Sequence, residues 1–273
     1  MSLVGQITRH NVYVTSMGVP LTAVGATLGG QAEAGWLGVG AVVFGLVSLL
    51  VAARGAGIED RRTRRCHGLV AIVSTVSVGA YALLLSGVGT VDVSAPGGVT
   101  VTLYWARDAD WLVTIPLLVA ALGSVAGVDR ETLASAVATT VFVIATGIVA
   151  MLPVLGGYRY IWWGIATLAM CGVGYFLGVG LHAGTRGLDA ETSATVDTLA
   201  ALLGVCWVGY LLWWIASPSG AGVVSPAAAT AGFVALDLLA TVGFGLVLLR
   251  SPAISDRGTA PGPATGDQAS RLT

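Results

Sequence analysis

Charged side chains within apolar stretches are the residues of this sequence best suited to chemistry. Arg107, Asp108 and Asp110 stand within four consecutive positions, and Asp237 lies midway along a long apolar run. A charged side chain at the centre of a membrane-spanning helix costs roughly 3 kcal/mol on insertion scales, so such residues are functional candidates. The pattern therefore predicts a buried polar centre built from carboxyl groups and one guanidinium.

The composition places these charges in a lipid bilayer. Of the 273 residues, 55% are hydrophobic and 10% are charged, and the mean hydropathy is +0.86. Soluble domains carry about 25% charged residues. All thirteen basic residues are arginines, and the sequence contains no lysine. The charges stand at the ends of apolar segments and form no basic face, which argues against binding to nucleic acid.

Seven apolar stretches are long enough to cross a membrane, which takes about 20 residues each. They are residues 34–53, 68–88, 103–126, 132–152, 158–181, 194–216 and 226–250. Short connections such as 127–131 and 153–157 imply antiparallel neighbours. Asp129 and Asp189 precede two of the stretches, where a carboxylate caps a helix. The sequence thus predicts an all-α membrane protein with a seven-transmembrane-helix bundle.

We divide the chain into residues 1–33, 34–250 and 251–273. The first segment has three interpretations: a signal-like peptide, an extended start before Met17, or a weak extra span. The second is the seven-helix domain. The third is rich in Gly, Pro, Ala, Asp and Ser and is expected to be disordered.

The arginines predict the orientation in the plasma membrane. Arg9 and Arg159 fall on one side of the spans. Ten others fall on the opposite side, namely Arg54, Arg61, Arg62, Arg64, Arg65, Arg130, Arg186, Arg250, Arg257 and Arg271. The positive-inside rule then places the amino terminus outside and the carboxyl terminus in the cytoplasm.

Two motifs connect the polar centre with a known family. Residues 107–118 read R-D-A-D-W-L-V-T-I-P-L-L, which closely resembles the R-Y-x-D-W-x-x-T-T-P-L-L signature of microbial rhodopsins. Residues 236–245 read L-D-L-L-A-T-V-G-F-G, similar to the family's L-D-x-x-x-K-V-G-F-G. The resemblance covers about residues 34–250 and is greatest to the sensory rhodopsin II and bacteriorhodopsin branch. It implies a bundle of the microbial rhodopsin type.

The resemblance also implies roles for individual residues. Asp110 matches the primary counterion and proton acceptor, Asp237 the second counterion, and Arg107 the arginine beside them. The other implied members of the counterion site are Tyr81, Tyr210 and Thr114. The implied walls of a retinal pocket are Trp111, Leu118, Trp163, Met170, Trp207, Tyr210 and Trp214. A single such aromatic residue is more typical of an interfacial anchor, but the set in register favours a pocket.

The sequence departs from the family at the position of the lysine that binds retinal, which is Thr241. A Schiff base with an aldehyde requires a primary amine, and no lysine is present to supply one. We therefore expect no covalent cofactor on a side chain, since the chain's amino terminus is the one other primary amine. Retinal or another polyene bound noncovalently remains compatible with the sequence.

Further departures weaken the pump and transducer interpretations. The family's cytoplasmic proton donor falls on Ala121, and its two release-site glutamates fall on Ser219 and Ala229. Its two transducer-relay residues fall on Ala235 and Ala240. Without a Schiff-base cation, Asp110 and Asp237 would share one arginine, and we expect one of the two carboxyls to be protonated at neutral pH.

The leading functional hypothesis is a non-pumping, opsin-related protein with noncovalent polyene binding or a regulatory or sensory role. A second is a photoreceptor or ion-transport protein of the rhodopsin family that acts by a non-standard mechanism. A third is a chromophore-free ion or proton pathway, or a membrane assembly partner that forms homo-oligomers or joins another membrane protein. We expect no enzyme, because the sequence has no Ser/His/Asp set, metal cluster or phosphate loop.

Overall fold

The computed structural model describes residues 21–95, 97–98 and 100–251. Its helices are α1 (Leu21–Ala56), α2 (Arg61–Leu85), α3 (Trp105–Ala126), α4 (Arg130–Met151), α5 (Arg159–Tyr175), α6 (Leu181–Thr185), α7 (Ala190–Ala216), α8 (Pro226–Leu238) and α9 (Phe244–Arg250). A 3₁₀ helix, Pro153–Tyr158, precedes α5. One antiparallel hairpin, β1 (Val91–Ser94) and β2 (Thr100–Leu103), connects α2 with α3.

Two π-helical turns join helices into longer rods. Phe176–Gly180 connects α5 with α6, and Leu239–Gly243 connects α8 with α9. Seven segments of the described chain are therefore long and apolar enough to cross a bilayer: Gly29–Ala56, Thr63–Leu85, Trp105–Ala126, Arg130–Met151, Pro153–Thr185, Ala190–Ala216 and Pro226–Arg250. We number them spans 1 to 7. The predicted seven-helix membrane architecture is confirmed.

The first helix begins earlier than the sequence predicted. It runs without a break from Leu21 to Ala56, so the boundary predicted between residues 33 and 34 falls inside it. Glycines at 29 and 30 lower helix propensity by about 1 kcal/mol each, but they do not end the helix here. The predictions for residues 1–20 and 252–273 lie outside the described residues.

Side-chain caps begin several of the helices. One Asp129 oxygen accepts hydrogen bonds from the backbone N–H groups of Glu131 at 3.1 Å and Thr132 at 2.9 Å. Asp189 accepts from the N–H of Thr192 at 2.7 Å. These hydrogen bonds hold the pKa of both carboxyls below the ordinary value. Both caps were predicted, and both are confirmed.

The helices form a ring around an apolar core. Each of the first four spans packs on the next, and α1 also packs on α8, which closes the ring. Fully buried side chains such as Val73, Val119 and Leu203 fill the interior. Large apolar side chains such as Leu49 and Leu168 are more than two-thirds exposed. Apolar surface on the outside of a bundle is expected for a protein whose solvent is lipid.

Candidate functional site

The carboxylate of Asp237 lies at the centre of a hydrogen-bond network that joins four spans. The hydroxyl of Tyr81 donates to Oδ2 at 2.6 Å. The hydroxyl of Tyr210 and the indole Nε1 of Trp111 donate to Oδ1 at 2.6 Å and 2.8 Å. Asp237 is only 2% exposed. The structure thus brings together the predicted tyrosines and Asp237, and it adds Trp111, which was predicted only as a pocket wall.

Asp110 has a different environment. The hydroxyl of Ser77 donates to its carboxylate, at 3.0 Å from Oδ1 and 3.3 Å from Oδ2. Thr114, the other residue that the resemblance placed in the counterion site near Asp110, does not bond this carboxylate, because its hydroxyl donates to the backbone carbonyl of Asp110 at 2.8 Å. The reason is local, because a threonine inside a helix readily bonds the carbonyl four residues earlier. Ser77 stands one turn before Tyr81, and that spacing is the signal that could have revealed it.

Arg107 is held by aromatic rings. Its guanidinium carbon lies 4.2 Å from the ring centroid of Phe233, 4.9 Å from that of Tyr104 and 5.5 Å from that of Trp111. Within the described part of the chain, it forms no ion pair with a carboxylate inside 4.0 Å. The arginine that the two aspartates were expected to share therefore makes no direct ion pair with either of them among the described residues. The quadrupoles of the three rings stabilise the cation instead.

Next to this arginine, the structure buries a further carboxyl group. Asp108 is 8% exposed, and its Oδ1 has no hydrogen-bond partner among the described residues. The Nε of Arg107 is likewise buried and without a partner there. Four charged side chains, at positions 107, 108, 110 and 237, are thus buried within the bundle, as the sequence predicted.

Glu33 forms a further polar cluster, which the sequence did not predict. Glu33 on α1 accepts hydrogen bonds from the hydroxyls of Tyr104 and Thr230, the second at 2.9 Å. Burial and the hydrogen bond with Glu33 raise the pKa of Tyr104 above its ordinary value of 10.0. Since Tyr104 also lies under the Arg107 guanidinium, this cluster extends the polar centre toward one end of the bundle. The position of Glu33, just before an apolar run, was a usable signal, but the predicted boundary at residue 33 assigned it to another segment.

An apolar cavity of about 100 Å³ adjoins the polar centre. Six of the predicted pocket walls line it: Trp111, Trp163, Met170, Trp207, Tyr210 and Trp214. Trp163 and Trp214 stack with their ring centroids 6.4 Å apart. Leu118 is not a lining residue. It is 1% exposed and packs in the apolar core.

Span 4 supplies a large part of the cavity wall that the sequence did not predict. Its lining residues are Val143, Ile144, Gly147, Ile148, Ala150 and Met151. Phe233 from span 7 and Ile115 from span 3 also contribute. These side chains carry no polar atoms or motif, so no sequence signal separates them from ordinary packing residues.

Thr241 lies in the π-helical turn of span 7 and is 6% exposed. It is not among the residues that line the cavity. It stands eight positions after Phe233, which corresponds to roughly 12 Å along a helix axis. Short π-helical turns of this kind occur often at functional sites.

These features define a membrane protein with seven spans, a buried carboxylate pair and an adjoining aromatic cavity. Residues 31–254 match the family model described as bacteriorhodopsin-like protein. The chain therefore belongs to the bacteriorhodopsin-like family of microbial rhodopsins, as the two motifs indicated.

Similar proteins span nearly the whole chain. Archaerhodopsin-2 from Halobacterium sp. (strain aus-2) is 36% identical over 241 residues, which cover 88% of this chain and 93% of that protein. Bacteriorhodopsin from Halobacterium salinarum is 35% identical over 244 residues, which cover 89% of this chain and 93% of that protein. The predicted affinity to the sensory rhodopsin II branch stays a prediction.

Two solved structures are similar in fold. Halorhodopsin, described as a light-driven chloride pump, is 27% identical with a TM-score of 0.77, and the match covers 83% of this chain and 97% of that one. The thermophilic rhodopsin from Rubrobacter xylanophilus is 34% identical with a TM-score of 0.76, and the match covers 82% of this chain and 98% of that one. The seven-helix bundle is thus of the microbial rhodopsin type.

Proposed function

We propose that this protein binds a polyene of the retinal class noncovalently in the aromatic cavity and does not act as a proton pump. The observation that carries the proposal is the aromatic cavity, because six of the predicted pocket residues line it together. Sites that bind small molecules are lined predominantly by apolar and aromatic side chains, as this one is. The stacked rings of Trp163 and Trp214 give a flat wall suited to a conjugated chain.

The noncovalent mode follows from the available functional groups. When bound, retinal supplies an aldehyde and a conjugated chain, and only a primary amine converts that aldehyde into an imine. The residue at the family's lysine position is Thr241, and the sequence offers no lysine elsewhere. The bound polyene would therefore keep the near-ultraviolet absorption of the free aldehyde.

The proposal that the protein does not pump protons rests on the apolar interior that a pumped proton would have to cross. Toward the end of the bundle where α3 finishes, the interior beyond Asp110 is closed by Leu118, Val119 and Leu122, all at most 1% exposed. The donor position of outward pumps is Ala121, which cannot carry a proton. We infer a regulatory or light-sensing role in the plasma membrane, without enzyme activity, and with the arginine-rich end in the cytoplasm.

A chromophore-free proton or ion pathway is the second candidate function. The partnerless atoms of Arg107 and Asp108 favour it, because buried charges in a membrane protein commonly mark a pathway. The apolar barrier formed by Leu118, Val119 and Leu122 argues against it. Proton or ion flux into liposomes, measured for the unmodified protein and for Asp110→Asn, distinguishes the two candidates. Retinal binding without flux supports the polyene-binding function.

The main experiment is to purify the full chain with all-trans retinal and record its absorption after gel filtration. We expect retained retinal with only a near-ultraviolet band, and quenching of tryptophan fluorescence. The Thr241→Lys variant should gain a visible band, because it supplies a primary amine four positions after Asp237. A visible band in the unmodified protein would contradict the noncovalent mode, and loss of all retinal on the column would contradict binding.

A further inference from the structure

A second cavity opens at the arginine-rich end of the bundle and plays no part in the proposed polyene site. It is a groove of about 330 Å³ between spans 2, 3 and 7. Arg65 lies among its lining residues, together with Leu69, Ala121, Ser124 and Leu248. The groove is therefore apolar along its length and carries a cation at one end.

Small side chains on α3 create the groove. Ala120, Ala121 and Ser124 face α2 here, where larger residues would fill the space. The Ser124 hydroxyl donates to the backbone carbonyl of Ala120 at 2.7 Å, so its polar group is already satisfied. The interior thus offers apolar surface with no free polar group on α3, which suits a hydrocarbon chain rather than water or an ion.

Positive charge is concentrated beside the groove. Four arginines stand within the first five positions of α2, at 61, 62, 64 and 65, against the two acidic residues Glu59 and Asp60 that directly precede them. The positive end of the α2 dipole lies at the same place, which adds to the positive electrostatic potential there. In the part of the chain that the structure describes, none of Arg61, Arg64 and Arg65 forms an ion pair.

Arg65 lines the groove, and Arg61 lies one turn before it on α2. Arg61 and Arg65 are four positions apart and so lie on the same side of α2. Both are exposed at the end of a membrane span, where the headgroups of a bilayer begin. Clustered arginines directly beside a span attract anionic lipids.

We propose that this groove binds one anionic phospholipid, with its phosphate on Arg61 and Arg65 and one acyl chain along Leu69, Ala121 and Leu248. The arginines match the anionic headgroup of the lipid, and the apolar groove matches one of its acyl chains. A zwitterionic phospholipid offers the chain but no net charge, and a free phosphate offers the charge but no chain.

Native mass spectrometry of the full chain in detergent tests the headgroup. The probes are dioleoyl phosphatidylglycerol and dioleoyl phosphatidylcholine at equal concentration. We expect at least tenfold greater retention of the anionic lipid, and a loss of roughly tenfold in its affinity in Arg65→Gln. Arg130→Gln, which removes an exposed arginine at the start of α4, is the matched control and should bind like the unmodified protein.

A second pair of variants tests the position of the lipid's acyl chain. Ala121→Leu fills the groove without changing any charge and should weaken binding of phosphatidylglycerol, whereas Ala138→Leu on the exposed face of α4 should not. Glycerol 3-phosphate, which has the charge without the chain, should bind far more weakly than the lipid. Equal losses in Arg130→Gln and Arg65→Gln, equal retention of both lipids, or unchanged binding in Ala121→Leu would each overturn the proposal.

Discussion

The hydroxyl of Ser77 lies 3.0 Å from one carboxylate oxygen of Asp110 and 3.3 Å from the other. Asp237 accepts hydrogen bonds from three donors, whereas this serine is the one donor to the Asp110 carboxylate among the described residues. Three O–H and N–H donors satisfy an ionised carboxylate. The two aspartates therefore differ in kind, and Asp110 is the one that we expect to hold a proton.

Carboxyl-stretch infrared spectroscopy tests this assignment. The unmodified protein should show a protonated carboxyl band at neutral pH, and Asp110→Asn should remove it. Ser77→Ala should shift the frequency of the band without removing it, since it deletes only the hydrogen-bond partner. The absence of any protonated carboxyl above pH 6, or a band that survives in Asp110→Asn, would contradict the assignment.

Gly40 leaves the space that the ring of Tyr81 occupies. A Cβ atom placed at Gly40 would overlap the Tyr81 ring, whereas one placed at Gly38 would meet nothing within 4 Å. We predict that Gly40→Ala lowers the free energy of unfolding by about 1–3 kcal/mol, the usual cost of overpacking. Gly38→Ala is the matched control. Equal thermal unfolding midpoints for the two variants would show that the ring moves aside without cost.

Gly147 is a wall position of the aromatic cavity at which a larger side chain can be introduced. It lines the cavity, and a Cβ atom there would meet nothing within 4 Å. Gly147→Leu should therefore fold normally, fill part of the cavity and weaken retinal binding by roughly tenfold, or about 1.4 kcal/mol. Gly164→Leu, at an exposed position of α5 that is equally open, is the control. Titration by tryptophan quenching measures both, and similar affinities for the two variants would place the ligand elsewhere.

The Tyr104 hydroxyl predicts a pH dependence of stability. Burial and the bond with Glu33 raise its pKa in the folded state above the ordinary 10.0. The folded chain thus keeps a proton that the unfolded chain releases, so stability should fall as the pH rises above about 10. Unfolding measured between about pH 9 and pH 11 should show a shallower decline in Tyr104→Phe. Tyr158→Phe, which alters an exposed ring, should keep the steeper decline.

The sequence predicted the seven spans well because the cost of placing polar backbone in lipid makes every span a long apolar helix. It also placed Asp110 and Asp237 correctly, since a charge inside such a helix is conspicuous. The start of span 1 was not predictable in the same way. Glycines and a weakly apolar run give little signal, and the contact of Glu33 with Thr230 joins residues 197 positions apart.

By itself, the sequence determined the class of the protein, the absence of a lysine for retinal and the identity of the buried charges. Those properties depend on composition and on spacing along one helix. The tertiary structure alone decided that Ser77 bonds Asp110, that aromatic rings hold Arg107, and that span 4 completes the cavity. Those contacts join side chains on different helices, and their geometry depends on how the spans pack, which no pattern along a single span encodes.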